Sequence, residues 1–180
     1  MKESKPSPNF PFEIFRAADA PLIDETSMMS PAEFADPDGP QALADHPEFS
    51  DRMSAQQRVT VPFRQEGEGA MSLLFADFGP GFTVWRHSHS LDCLYFIVSG
   101  TAILGERTLG PGDGFFVPAD QPYTYYAGPE GVRVLEIRNG TEFDMRVLEK
   151  SLARNMEKSL ERLDAAESRG ESGVQEGIQQ

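Results

Sequence analysis

"GFTVWRHSHSLDCLYFIVSG", residues 81–100, opens and closes on glycine and is filled between with β-type residues, two histidines and a cysteine. Along a strand, alternate residues share a face. Trp85, His87, His89, Cys93, Tyr95 and Ile97 therefore fall on one side, and Val84, Leu94, Phe96 and Val98 on the other. Both sides are largely apolar, which predicts that both are covered. Two imidazoles at i and i+2 on one strand can aim into one space, and imidazole suits Zn, Fe, Cu and Ni. Cys93 is the chain's single cysteine, so no intramolecular disulfide forms and the residue is a packed thiol, a ligand or a reactive group.

Outward from this stretch, the chain from Val59 keeps one texture: "RVTVPF", "MSLLFADF", "TAILG", "GFFVP", "YTYYA" and "VRVLEIR" alternate with breaks such as "GEG", "LGPGDG", "PADQP" and "GPEG". Short β-type runs punctuated by Gly and Pro predict an all-β sandwich or barrel over residues 58–143. No helix-length periodic segment interrupts them, which excludes alternating β and α units.

Residues 1–57 are rich in Pro, Asp, Ala and Ser, with no sustained period, and read as a largely irregular arm. Within it "SPAEF" predicts a short helical turn, Ser30 capping and Pro31 in the first position. His46, before Pro47, reads as an exposed loop residue rather than a ligand. Over 144–167, Met145, Leu148, Leu152, Met156, Leu160 and Leu163 recur at three- and four-residue spacing and predict one amphipathic helix, packed on the barrel or across a dimer. Residues 168–180, polar and glycine-rich, read as a disordered tail.

The formal charge of −13 repels phosphate backbones and anionic lipid, which excludes nucleic acid and membrane surfaces as expected partners. No apolar run approaches the length of a signal peptide core or a membrane span, and the lone cysteine suits a reducing compartment. The expectation is a cytoplasmic protein.

The opening stretch and "LGPGDGFFVPADQPYTYYAG", residues 109–128, resemble the two signature motifs of the cupin superfamily, G-x5-H-x-H-x3,4-E-x6-G and G-x5-P-x-G-x2-H-x3-N. Gly81 with five residues reaches His87, Cys93 with six reaches Gly100, and Gly112 with five reaches Pro118. The resemblance spans roughly residues 59–140 and implies a double-stranded β-helix, or jelly-roll barrel, commonly as a homodimer. It also implies one divalent transition metal (Fe, Zn, Ni, Mn or Cu) inside the barrel. Matched position by position, His87 and His89 are retained, Cys93 stands at the glutamate, Tyr123 at the last histidine, Asp120 at the second-motif glycine and Ala127 at the asparagine.

The resemblance thus makes His87, His89 and Cys93 the candidate metal ligands. Two imidazoles and a thiolate can hold a metal with one position open. Cys93 is equally readable as a small packed hydrophobe, and Tyr123 as pocket lining. In the thiol dioxygenases, a related branch, a cysteine also takes the glutamate position and in some members is linked to a tyrosine, implying a hydrogen bond or thioether between Cys93 and Tyr123.

In "VRVLEIR", alternation puts Glu136 with Val132 and Val134. It is then either a buried partner, replacement ligand or general base, or one half of a salt bridge with Arg133 or Arg138. Tyr123 and Glu136 are the candidate proton-moving residues, and Phe82, Trp85, Tyr95 and Tyr125 the expected aromatic pocket walls for a small, partly apolar ligand. Two functions stay open: a metal-dependent oxygenase, lyase or isomerase, and a non-catalytic small-molecule binder that has lost its metal.

Overall fold

The computed structural model describes residues 12–177, with side chains through residue 169. Its elements are β1 (Glu33–Phe34), α1 (Gly39–Ala44), α2 (Pro47–Ala55), β2 (Gln57–Arg64), β3 (Ser72–Phe78), β4 (Thr83–Ser88), β5 (Cys93–Leu104), β6 (Arg107–Leu109), β7 (Gly114–Val117), β8 (Tyr123–Arg138), β9 (Arg146–Val147) and α3 (Leu152–Gly177).

Two long strands organise the rest. β5 and β8 run antiparallel from Cys93 opposite Arg138 to Ile103 opposite Tyr126, with register shifts between Ile97 and Ser99 and between Gly100 and Ala102. Gly100 and Gly131 both take positive φ, at 69° and 78°, and a Cβ on Gly100 would run into the carbonyl of Gly131. Glycine at both places lets the ribbon fold over at its middle. The first half of β5 and the second half of β8 then extend into β7 on one side and β3–β2 on the other. The remaining halves extend into β6 and into β4–β9–β1. Two antiparallel layers sharing a bent strand pair enclose Tyr95, Ile97, Ala102, Tyr125, Ala127 and Val134, all buried. This is the all-β jelly roll expected, except that strand pairing does not close the sheet into a ring among the described residues.

The flanking segments depart from expectation. "SPAEF" forms no helical turn: Glu33–Phe34 is a strand lying parallel to β9, with the Glu33 amide donating to the Met145 carbonyl. Residues 39–55 are helical rather than irregular, as α1 and α2. Helices of six and nine residues are too short to display a sustained period, and they are stabilised by burying Phe49 against Leu152 and Met156. His46 sits just before α2, exposed and bonded to Glu48.

The expected helix over 144–167 begins later, at Leu152. Met145 and Leu148 belong to the strand region instead, and the Asp36 carboxylate accepts from the Leu152 amide. Leu152, Met156 and Leu163 are buried on its inner face, worth about 1.5–3 kcal/mol each. The tail expected to be disordered is helical to Gly177, and residues 178–180 lie outside the described residues.

The outer face of β5 and β7 is also unlike its expectation. Leu94, Phe96, Val98 and Phe116 are 47%, 43%, 40% and 59% exposed, so this apolar side is not covered by the chain's own described residues. No helix of the described residues is long and apolar enough to cross a membrane.

Candidate functional site

A cavity of about 330 Å³ lies between the two layers. β3 supplies Leu74 and Phe78, β4 supplies Trp85 and His87, and β8 supplies Tyr123, Tyr125, Glu136 and Arg138. His89 follows β4, Phe143 and Met145 come from the segment after β8, and Met29, Phe49 and Met53 from the N-terminal segment and α2. A register shift between Val84 and His87 sets His87 opposite Tyr123 on one side and Val147 on the other. Trp85, one shift earlier, stacks on Phe49 with ring centroids 5.7 Å apart and donates its indole N–H to Ser159 at 3.1 Å.

The two imidazoles are oriented from behind. His87 Nδ1 lies 2.6 Å from the Trp85 carbonyl and His89 Nδ1 2.6 Å from the Asp144 carbonyl. A carbonyl only accepts, so each Nδ1 carries the proton and each Nε2 of a neutral ring is a bare lone pair. These two Nε2 atoms face each other at 3.1 Å. A hydrogen bond between them needs one imidazolium. Burial opposes that charge and pushes His87 down to about 4, with Arg138 adding to the effect against the Trp85 carbonyl. His89 is pushed down to about 2 by burial, then by Arg138 and His87. Near neutral pH the pair is therefore two converging lone pairs. That separation is the one expected of two nitrogens each about 2.1 Å from one ion at roughly a right angle.

Tyr123 Oη is 2.8 Å from His87 Nε2 and bonds Tyr95 Oη on its other side. Burial, then the Glu136 charge, raises both phenols, so each is neutral near pH 7. Tyr123 donates to His87 and accepts from Tyr95, which leaves the His89 lone pair with no O–H or N–H donor. Behind them Arg138 Nη2 donates to Glu136 Oε2 at 2.6 Å and approaches Tyr95 Oη at 3.5 Å. Arg138 is 2% exposed; burial works against its charge, and Glu136 together with Tyr95, Cys93 and Tyr123 outweighs it, holding the guanidinium protonated. The Arg138 guanidinium lies 4.1 Å from the Phe143 ring centre, and the His89 ring meets the same ring edge-on at 5.3 Å.

The structure thus brings His87, His89 and Tyr123 together, with Glu136 inward as alternation implied and salt-bridged to Arg138. Phe82, Trp85 and Tyr125 line the cavity. Tyr95 lies one layer back, reaching the site only through Tyr123. Cys93 does not join the histidines. It is buried away from the cavity lining, its Sγ 3.8 Å from the Leu94 carbonyl, and burial pushes its thiol up to about 12. No three His, Cys, Asp or Glu side chains gather at one point among the described residues, and the group that stands beside the imidazoles is the Tyr123 hydroxyl, hydrogen-bonded to His87. Sequence reasoning missed Arg138 as a wall of the site, although its place two residues after Glu136 on the same strand face was a usable signal. Phe49, Met53 and Phe143 carried none, because they reach the cavity from other segments.

The glycines of the first motif take positive φ, Gly81 just before β4 and Gly100 at the bend within β5, and His87 and Tyr123 pair across β4 and β8. On its own strand order, the chain has the jelly-roll fold of two antiparallel layers. No family model and no curated protein matches. Among solved structures, KdgF from Halomonas sp. is similar at 20% identity and TM-score 0.42, over 46% of this chain and 79% of that one. The DMSP lyase DddQ from Ruegeria pomeroyi DSS-3 is similar at 20% identity and TM-score 0.42, over 47% of each chain. An RmlC-like cupin from Shewanella frigidimarina NCIMB 400 is similar at 17% identity and TM-score 0.41, over 46% of this chain and 75% of that one. Each of these likenesses covers about half of this chain.

Proposed function

We propose that the chain is a small-molecule enzyme of the oxygenase, lyase or isomerase class whose cavity holds one divalent transition metal on His87 and His89. The observation that carries this reading is the pair of Nε2 lone pairs 3.1 Å apart, each fixed by an Nδ1–H bond to a backbone carbonyl. Such carbonyl partners orient metal-binding imidazoles. When bound, the metal would supply Lewis-acid polarisation of a substrate oxygen, or an oxygen-binding position.

The chain's own residues do the rest. Tyr123 donates its O–H to His87 Nε2 when no metal is bound, and with a metal on that nitrogen the Tyr123 O–H would be released to face the cavity, still bonded to Tyr95. Glu136 and Arg138 keep the Tyr95 hydroxyl in place from behind. Phe78, Phe82, Trp85 and Phe143 exclude water around the reacting centre. Cys93, packed behind the site, tunes its polarity rather than binding the metal.

Elemental analysis of the purified protein beside the His87→Ala/His89→Ala variant tests the reading. A stoichiometric transition metal that disappears in the variant is expected; no metal in either, even after reconstitution, overturns it. The non-catalytic binder has one observation in its favour: the Tyr123 hydroxyl satisfies His87 without any metal.

We further propose a homodimer built on the outer face of β5 and β7. Leu94 and Phe116 are cross-strand neighbours there, with Phe96 and Val98 beside them, all exposed. A contiguous apolar patch on a soluble surface marks an interaction site, and a self-complementary patch closes under two-fold symmetry. Light scattering of Phe96→Glu is expected to show a monomer where the unmodified chain is a dimer.

A further inference from the structure

The charged side chains of the cavity wall lie together, at Glu136 and Arg138. Arg138, 2% exposed and lining it, gives Nη2 to Glu136, while its Nε and Nη1 are buried with no hydrogen-bond partner among the described residues. Leaving two charged donors unmatched in an apolar interior is costly, and buried guanidiniums are ordinarily bonded on every side that water cannot reach. The same guanidinium sits over the Phe143 ring, which the His89 ring also meets edge-on, so Arg138 and His89 share one aromatic neighbour in the cavity wall. Away from this corner the walls are mostly apolar, with Phe49, Met53, Leu74, Phe78 and Phe82, and their polar members Ser50, Ser54, Gln57 and Thr83 carry no charge.

We propose that the cavity takes an amphipathic carboxylate, its carboxylate oxygen on Arg138 beside His89 and its apolar or aromatic body along the Phe78 and Phe82 wall. The inference deepens the reading of the cavity as a small-molecule site and does not depend on a metal being there. Planar carboxylate matches guanidinium geometry better than other anions of that size, and a charge-assisted bond of this kind is roughly twice as strong as a neutral one. A neutral amide of the same shape offers Arg138 a carbonyl acceptor but no charge, and so only the weaker, neutral-acceptor hydrogen bond. A cationic ligand meets the guanidinium's charge and finds only Glu136, already engaged at 2.6 Å. A carboxylate without an apolar body gives up the aromatic wall.

Trp85, the chain's one tryptophan and itself part of the cavity wall, provides the readout. 3-Phenylpropionate and 3-phenylpropanamide are titrated by its fluorescence into the full chain, once chelator-treated and once after metal loading, with acetate as the carboxylate that lacks a body. Expected in the chelator-treated protein is at least tenfold tighter binding of 3-phenylpropionate than of either comparator. That preference should fall below threefold in Glu136→Gln/Arg138→Gln, which removes both charges together. Amide binding as tight as the acid in the chelator-treated protein overturns the proposal, as does a preference that survives in the double variant. A preference seen only after metal loading also overturns the Arg138 assignment while leaving the metal reading intact. Absence of any metal leaves the acid-against-amide comparison valid. Should the double variant fail to fold, the comparison on the unmodified chain still decides.

Discussion

The inner and outer faces of β5 and β8 are made by the same two strands and look alike in composition, yet they hold opposite things. Inward point Cys93, Tyr95 and Ile97 from β5 and Val134, Glu136 and Arg138 from β8, and every one is buried. Outward point Leu94, Phe96 and Val98, exposed and unpartnered within the chain. Polar groups on the buried side are linked to one another, carboxylate to guanidinium, guanidinium to phenol and phenol to imidazole, with Arg138 Nε and Nη1 left without a partner among the described residues. The apolar groups outside lack even that. Hydrophobicity therefore does not tell the inside of this pair from its outside; the linked polar groups do.

The sharpest way to break the contrast is to unmatch the inside. Glu136→Ala leaves the Arg138 charge buried without its carboxylate and is expected to cost about 3–5 kcal/mol in a urea titration. Glu136→Leu/Arg138→Met, which removes both partners, should cost much less; equal losses would show that packing, not pairing, governs this face.

Next in size is a pH effect. In metal-free protein both imidazoles are neutral in the folded state, their affinity for protons lowered from 6.5 to about 4 for His87 and about 2 for His89. The unfolded chain gains these protons first as pH falls below 6.5. Stability is therefore unaffected above that pH and declines below it, at about 1.4 kcal/mol per pH unit for each imidazole. Denaturant midpoints between pH 7 and pH 4.5 check this, and a flat His87→Gln/His89→Gln profile over the same range should accompany it.

A smaller test concerns Cys93, 1% exposed and with its thiol pushed up to about 12. An aromatic disulfide reagent is expected to react with the native protein only as fast as it unfolds, and at once in denaturant. Rapid native labelling would place the thiol in the cavity after all. The smallest stability effect is expected outside: Phe96→Ser should change the folding stability of the isolated chain by no more than about 0.5 kcal/mol while abolishing self-association in light scattering. A large folding cost would mean that the outer face is already packed.

Much of the fold was legible because its signals are local. Glycine at 81 and 100, proline at 118 and alternation in "LDCLYFIV" and "VRVLEIR" each act within a few residues, through φ or through the two-residue period of a strand. The pairing of His87 with His89, and the inward placing of Glu136, follow from the same period. The short helices α1 and α2 left no comparable trace, since their formation rests on Phe49 meeting α3 across a long stretch of chain. Residues 144–151 misread for the opposite reason: their apolar spacing suits a helix, but β9 is claimed by pairing to β4 and β1.

By itself, then, the sequence determined the jelly-roll strands, their turns and the two histidines sharing one side, because backbone geometry is set by neighbours in the chain. Only the tertiary structure decided who stands third beside those histidines. It set Tyr123 against His87 across β4 and β8, kept Cys93 behind the wall, and brought Phe143 under Arg138 and His89. Those choices depend on which strands meet and where a register shifts, and both follow from how the whole core packs.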